Sequence, residues 1–238
     1  MTVRSLANLP YNQYPLAEYS KEPYYNISGY ASNSYNGKIK TYNEDMLTVK
    51  TNCQKNIQIE KEADRNEPLP NISFSSVFDG HGGDKCSKFL KYNMHEIPFK
   101  TKKCVIKEPV EAIRESFQTS ENEFKKVAIQ NGKLVDKSSS CAVIALIINN
   151  IVYAINLGDS RALYSCNGGK ELYQITRDHK PNDVKEKTRI EKNGGKVRYA
   201  NFRIINGVEV TYTEKEVGKN FVFPYRLYPC GLAVSLNI

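Results

Sequence analysis

The sequence predicts an α+β fold in which helices pack outside antiparallel sheets. Three observations carry that expectation. Two strand-like segments, near 45–51 and 72–78, are followed by two helical patterns and then by a run of hairpin strands. Strand and helix do not alternate, as they would in a parallel βαβ chain. Asn149-Asn150 joins the apolar runs 139–148 and 151–157, and asparagine tolerates the positive φ that a tight hairpin needs.

Residues 1–36 are rich in Tyr, Asn, Ser and Pro and show no period of 2 or 3.6. Residues 1–22 are expected to be a loosely held arm, serving either for docking or as a surface drape, with the domain proper spanning 23–238. From Asp45 to Thr51, Leu47 and Val49 alternate with polar residues as in a half-buried strand. The polar stretch 52–70 ends in Pro68 and Pro70 and reads as a loop. Ile72–Phe78 is a β-rich apolar segment that runs into Asp79-Gly80-His81-Gly82-Gly83. Cys86, Phe89, Leu90 and Met94 then recur at helical spacing. A second helix starts near Glu108-Pro109, with Val110, Ile113, Phe117, Phe124, Val127 and Ala128 on one stripe and Gly132 expected at its end. A strand at 161–165, a turn at Asn167-Gly168-Gly169, another short strand and a helix over 182–193 closed by Gly194-Gly195 complete the reading.

Composition narrows the function classes. The 238 residues are 40% hydrophobic and 25% charged, which excludes collagen, coiled coil and wholesale disorder. A net charge of +8 favours acidic partners, whether phosphorylated proteins, nucleic acid or anionic membrane surfaces, with a moderately basic soluble domain as the plainer alternative. The excess is dispersed, with no run of five like charges, so no nucleic-acid arm is expected. Six cysteines without a CxxC pair read as free thiols in a reducing compartment, the cytoplasm or nucleus. The first residues lack a signal-peptide core, Met-Thr does not suit myristoylation, and the apolar run 141–148 is too short to span a bilayer. A monomer with no membrane partner is the expectation.

Four constellations hold side chains suited to chemistry. In Asp79-Gly80-His81-Gly82-Gly83 a glycine-rich turn can bring backbone carbonyls close to a ligand. Asp79 offers a hard oxygen ligand for Mg²⁺ or Mn²⁺ and His81 a proton donor beside it; the plainer alternative is a strand-to-helix turn whose Asp caps the helix. Asn43-Glu44-Asp45 sets two adjacent acids at a strand start, their repulsion relieved by cations or by solvent. In Leu157-Gly158-Asp159-Ser160-Arg161, Ser160 could be an esterase nucleophile with Asp178 and His179 as partners. The adjacency of those two partners breaks the esterase spacing, and Asp159 as another carboxylate at a metal cluster fits better. Thr176-Arg177-Asp178-His179-Lys180-Pro181 reads as a structural hinge, with Pro181 starting the helix that follows.

Together with Ser139-Ser140-Cys141-Ala142, Gly194-Gly195 and Gly231-Leu232-Ala233-Val234-Ser235, these motifs form an ordered series from about residue 28 to the last residue. The series resembles the metal-dependent protein serine/threonine phosphatases, the PPM or protein phosphatase 2C family. The resemblance implies a β-sandwich flanked by helices on both outer faces, with two or more Mg²⁺ or Mn²⁺ ions at one end. By the same resemblance Asp79 bridges the ions and the Gly80 carbonyl binds one of them. Glu44, with Asp45 through water, supports the site, and Asp159 helps hold a more weakly bound ion. His81 is then the general acid toward the departing serine or threonine oxygen of a phosphorylated protein. A water activated by the ions attacks in line, with no phosphoenzyme.

Two departures qualify the expected activity. Lys40 stands where the family commonly has a phosphate-gripping arginine; it keeps the charge but loses the two-pronged geometry. After Gly231–Ser235 the family continues with an arginine and later Asp-Gly and Asp-Asn motifs that complete the metal site, whereas here Leu236 follows and the sequence given ends at Ile238. The expectation is therefore a domain lacking its last strands and helices. It is either a phosphatase or a catalytically inactive relative that binds phosphoproteins or other partners, and its open sheet edges raise the question of stability.

Overall fold

A computed structural model describes residues 18–35, 41–53, 69–101, 105–205, 208–213, 216, 222–228, 231–235 and 238. It divides the chain into two compact units, one up to Arg177 together with Ile238, the other from Asp178 to Asn237.

The first unit is built on β1 (Glu18–Ser20), β2 (Tyr30–Ser32), β3 (Met46–Lys50), β4 (Ile72–Phe78), β5 (Gly80–His81), α1 (Lys85–Asn93), α2 (Pro109–Ala128), β6 (Ile129–Gln130), β7 (Lys133–Leu134), β8 (Ser139–Ser140), β9 (Ala142–Ile148), β10 (Ile151–Leu157), β11 (Leu163–Cys166) and β12 (Glu171–Gln174). β10, β9, β4 and β3 form an antiparallel four-stranded sheet in that order, and the remaining strands pair two by two. Alternation along β4 and β9 turns Ile72, Phe74, Phe78, Ala142, Ile144, Leu146 and Ile148 to one face, where they join Leu90 and Met94 and the α2 residues Ala112, Ile113 and Phe124 in a single buried cluster. This is the α+β class expected from the sequence; among the described residues of this unit, however, α1 and α2 cover one face of a single four-stranded sheet, where the resemblance implied a sandwich flanked by helices on both faces.

Several boundaries differ, each for a local reason. The strand expected over 139–148 is divided at Cys141: Ser139–Ser140 pairs with Gly80–His81, while Ala142 onward pairs with β4. α2 ends at Ala128 instead of near Gly132, because Ile129 adopts extended φ/ψ of −116° and 114° and pairs with Leu134. Gly132 serves the β6–β7 turn, where Asn131 and Gly132 have φ of 50° and 72°. α1 is only nine residues long, followed by a 3₁₀ turn, Ile97–Phe99, that holds Pro98. The Asn149-Asn150 hairpin forms as expected, with Asn149 at φ 53°. Glu18–Ser20, inside the expected arm, pairs with Tyr30–Ser32, whereas residues 1–17 lie outside the described residues, as do 54–68 of the expected loop.

The second unit holds α3 (Val184–Lys192), β13 (Lys196–Tyr199), β14 (Phe202–Ile205), β15 (Val208–Thr211) and β16 (Tyr225–Tyr228), with β13 paired to β16 and β14 to β15. The helix starts at Val184 because the Asp183 carboxylate accepts the Lys185 and Glu186 N–H groups at 3.0 and 3.2 Å, so Pro181 precedes the helix rather than opening it. Inside the unit the Glu186 carboxylate accepts from Arg189 at 2.8 Å and from the Ser235 hydroxyl at 2.7 Å. Arg198 lies 4.4 Å from the Phe202 ring centroid and 5.4 Å from that of Tyr228.

Phe74 is 2% exposed at the centre of the first unit's core. Phe74→Ala removes that ring from a packed interior and is expected to lower stability by about 3–5 kcal/mol, read as a drop in the urea midpoint with an unchanged slope.

Candidate functional site

The registers bring the expected residues to one end of the four-stranded sheet. β3 pairs with β4 from Lys50↔Phe74 to Met46↔Phe78, so one further step sets Asp45 beside Asp79 and the next sets Glu44 beside Gly80. β4 and β9 pair up to Val77↔Val143, and the Cys141 N–H continues the ladder by donating to the Asp79 carbonyl at 2.9 Å. β10 pairs with β9 up to Leu157↔Ala142, which leaves Gly158 and Asp159 just beyond Cys141. Neighbouring strands lie about 4.8 Å apart, so the acids of β3 and β4 stand side by side, while Asp159 lies beyond β9 on the far side of Cys141.

Two glycines make the close approaches. A methyl at Gly80 would collide with the Glu44 carbonyl oxygen and would meet the Ser87 hydroxyl at 2.8 Å. Gly158 has φ +117° and lies against the Cys141 side chain, so both its conformation and its surroundings require glycine.

Each carboxylate is held by named groups. Glu44 is buried, and its Oε1 accepts from the Gly83 N–H at 3.0 Å and from the Tyr42 hydroxyl at 3.3 Å. Its backbone carbonyl accepts from Ser87 on α1 at 2.5 Å. Glu44 thereby ties the glycine turn to the sheet. The Asp45 N–H donates to Asn43 Oδ1 at 3.0 Å. The Cys141 thiol lies 3.7 Å from Asp159 Oδ1. Burial, with the charges of Asp159 and Asp79 adding to it, pushes that thiol up to about 12. Two carboxylates thus act on one buried sulfur, after burial itself. His81 sits on β5 opposite Ser139. Lys40 lies outside the described residues.

The turn after Asp79 is not a helix cap of Asp79's making: the residue before α1 is Asp84, and its side chain makes no cap hydrogen bond. α1 is anchored instead through Ser138, whose hydroxyl accepts the Cys86 N–H at 3.0 Å and donates to Asp136. The Ser138 hydroxyl, ahead of Lys85 at 3.0 Å, holds the Asp136 carboxyl below the usual range. Neither Asp136 nor Ser138 carried a signal in the sequence beyond proximity to the Ser139-Ser140-Cys141-Ala142 motif, and Cys141 itself was legible only as part of that motif.

Hard oxygen donors of this kind suit Mg²⁺ or Mn²⁺. Among the described residues, however, no three His, Cys, Asp or Glu side chains converge into a group able to hold an ion. The sheet end collects the donors; their side chains are not drawn into a cage.

Gly80→Ala is expected to destabilise the chain by at least about 1 kcal/mol, because the added methyl meets backbone that cannot swing away; chemical denaturation beside wild type measures it. The thiols offer a second check. Burial first raises Cys53 to about 11 and Cys86 to about 12, as it does Cys141. At pH 8 the native chain should leave all three unalkylated by iodoacetamide while the partly exposed Cys166 reacts, as read by peptide mass mapping.

The protein phosphatase 2C family pattern matches residues 37–213 of this chain. A human protein named integrin-linked kinase-associated serine/threonine phosphatase 2C is 33% identical over 153 residues, covering 60% of this chain and 38% of that protein. The rice protein named probable protein phosphatase 2C 45 is 31% identical over 137 residues, covering 58% of this chain and 46% of its own length. The chain therefore spans less than half the length of these curated relatives. A solved structure of a serine-threonine phosphatase 2C from Toxoplasma gondii superposes with a TM-score of 0.53 at 23% identity, over 79% of this chain and 69% of that one, and supports the fold. A sex-determining protein of C. elegans gives 0.51 at 27% identity, over 72% and 38%. With nearly three quarters of its residues matched by one family pattern, the chain belongs to the protein phosphatase 2C family.

Proposed function

We propose that the chain carries out hydrolysis of phosphoserine and phosphothreonine in proteins with the help of Mg²⁺ or Mn²⁺. The observation that carries this reading is the alignment of Glu44 and Asp45, Asp79 and Gly80, and Asp159 at the ends of neighbouring strands of one sheet. Family membership and a net charge of +8, suited to phosphorylated partners, support it.

In this reading Asp79 and the Gly80 carbonyl would hold the ions, Glu44 and Asp45 would support them, and Asp159 would help to hold an additional one. Bound there, the ions supply Lewis acidity and an activated water. The chain's own groups do the rest. Glu44 keeps the glycine turn in place through the Gly83 N–H, so that Gly80 stays against the sheet. His81 donates a proton to the departing serine or threonine oxygen, and Lys40 offers a single positive charge to the substrate phosphate. We read both units as parts of one phosphatase domain that starts near residue 23, since the family match runs through the division at Arg177. The described cysteines are thiols, which supports the reducing cytoplasm or nucleus as the compartment, where we propose that the chain works as a monomer. No described helix is long and apolar enough to cross a membrane.

A second reading, a binding relative without catalysis, is favoured by the lack of a three-ligand group among the described residues. The purified chain with Mn²⁺ and a phosphothreonine peptide decides between them. Turnover is expected, lost on adding EDTA and reduced beyond about 100-fold in Asp79→Ala, since even changes outside a metal's direct ligands cost 10–100-fold. A folded chain that binds the peptide without turning it over supports the binding reading.

A further inference from the structure

A cleft of about 360 Å³ runs along β3 from Asp45 to Lys50. Its walls are Ser32–Ser34 on one side and Lys91, Tyr92 and His95 of the α1 region on the other. β3 is the last strand of the four-stranded sheet, and among the described residues no strand pairs with its outer edge. One end of the cleft therefore lies at the carboxylates of the sheet end and the other at a cluster of cations.

Lys50 and Lys91 form no ion pair among the described residues, whereas Glu96, the nearest acid, is taken by Lys100 at 2.7 Å. His95 is nearly buried, its Nε2 3.8 Å from Glu96 and its Nδ1 without a hydrogen-bond partner. The Lys91 carbonyl, close by, already accepts from the Thr48 hydroxyl at 3.0 Å. Burial first, then the Lys50 charge, holds the imidazole below its ordinary value; the Glu96 carboxylate and the Lys91 carbonyl oppose them, and Lys100 adds to Lys50. Leaving a buried imidazole nitrogen unpaired is costly, and the Lys50 and Lys100 charges raise the cost of protonating the ring. An anion in the cleft would offset the Lys50 charge.

We propose that this cleft seats an extended segment of the phosphoprotein substrate, with a second phosphate on that segment bound by Lys50 and Lys91 beside His95. The inference rests on the phosphatase reading for the identity of the occupant. Asp45 and Lys50 are five residues apart on a strand, about 17 Å, so the second phosphate lies about five residues from the one at the sheet end. Charge complementarity selects the occupant: an apolar or basic segment would leave the two lysines unmatched. Phosphate engages two point-charge lysines at once, which a single carboxylate does less well.

The test measures binding of the full chain without added metal, so that no turnover is needed. One peptide carries phosphothreonine and a phosphoserine five residues away; the control has serine at that second position, and both directions of spacing are made. The doubly phosphorylated peptide should bind about tenfold tighter in one direction, and Lys50→Gln with Lys91→Gln should erase the gain. The His95 resonance, identified among three histidines by His95→Gln, should titrate at higher pH with the doubly phosphorylated peptide. Equal affinities for the two peptides, or a gain that survives loss of both lysines, overturn the proposal. An equal His95 shift with inorganic phosphate at the same concentration also overturns it, leaving a pocket for free anions. A tenfold gain in a chain that shows no turnover with Mn²⁺ removes the catalytic reading and keeps the docking one.

Discussion

The rest of the molecule depends on the backbone register among β3, β4, β9 and β10. Each of the expected acidic positions lies one or two residues past the end of its strand, so the ladders that align Met46 with Phe78 and Leu157 with Ala142 also align the acids beyond them. A slip of one residue in any strand would turn its apolar side chains to the opposite face and carry its acid out of line. The core and the candidate site are thus specified by the same hydrogen bonds. Burial of Phe74, Phe78, Ile144 and Leu146 on the helix face holds the register that the acids need.

Gathering carboxylates in this way is unfavourable by itself, and the surroundings show how it is managed. Glu44 is buried but spends its Oε1 on the Gly83 N–H, which turns an expensive charge into a tie between β3 and the glycine turn. Ser87 reaches from α1 to the Glu44 carbonyl, so the first helix is clamped to the same point. Cys141 separates Asp79 and Asp159 with a small, un-ionised thiol where a larger side chain would not fit against Gly158. The sheet end is rigid through its backbone, which suits a site whose donors must keep fixed spacing.

Much of this was legible in the sequence because it is local. The alternation in Ile72–Phe78 appears unchanged as a strand, and Asn149-Asn150 makes its hairpin. The α2 stripe was legible in part, for Ile113, Phe117, Phe124 and Ala128 face the core while Val110 and Val127 are exposed; its end was not legible. Gly132 served equally well as a helix stop or a hairpin turn, and the choice went to the hairpin because Ile129 found a partner in Leu134. The break at Cys141 had no local signal either. The run 139–148 is uniformly compatible with a strand, and only the presence of Gly80–His81 as a second partner for Ser139–Ser140 divides it.

By itself the sequence determined which residues could bear the chemistry: the acids at 44, 45, 79 and 159, the histidine at 81 and the glycines that let them approach. It determined this because residue type sets ligand hardness, charge and backbone freedom irrespective of the fold. Tertiary structure alone decided their adjacency, since pairing between residues 62 to 76 positions apart depends on register and burial, not on any local preference. Tertiary structure also decided that Lys50, Lys91 and His95 share one cleft, for a strand and a helix far apart in sequence meet there only because the core beneath them packs.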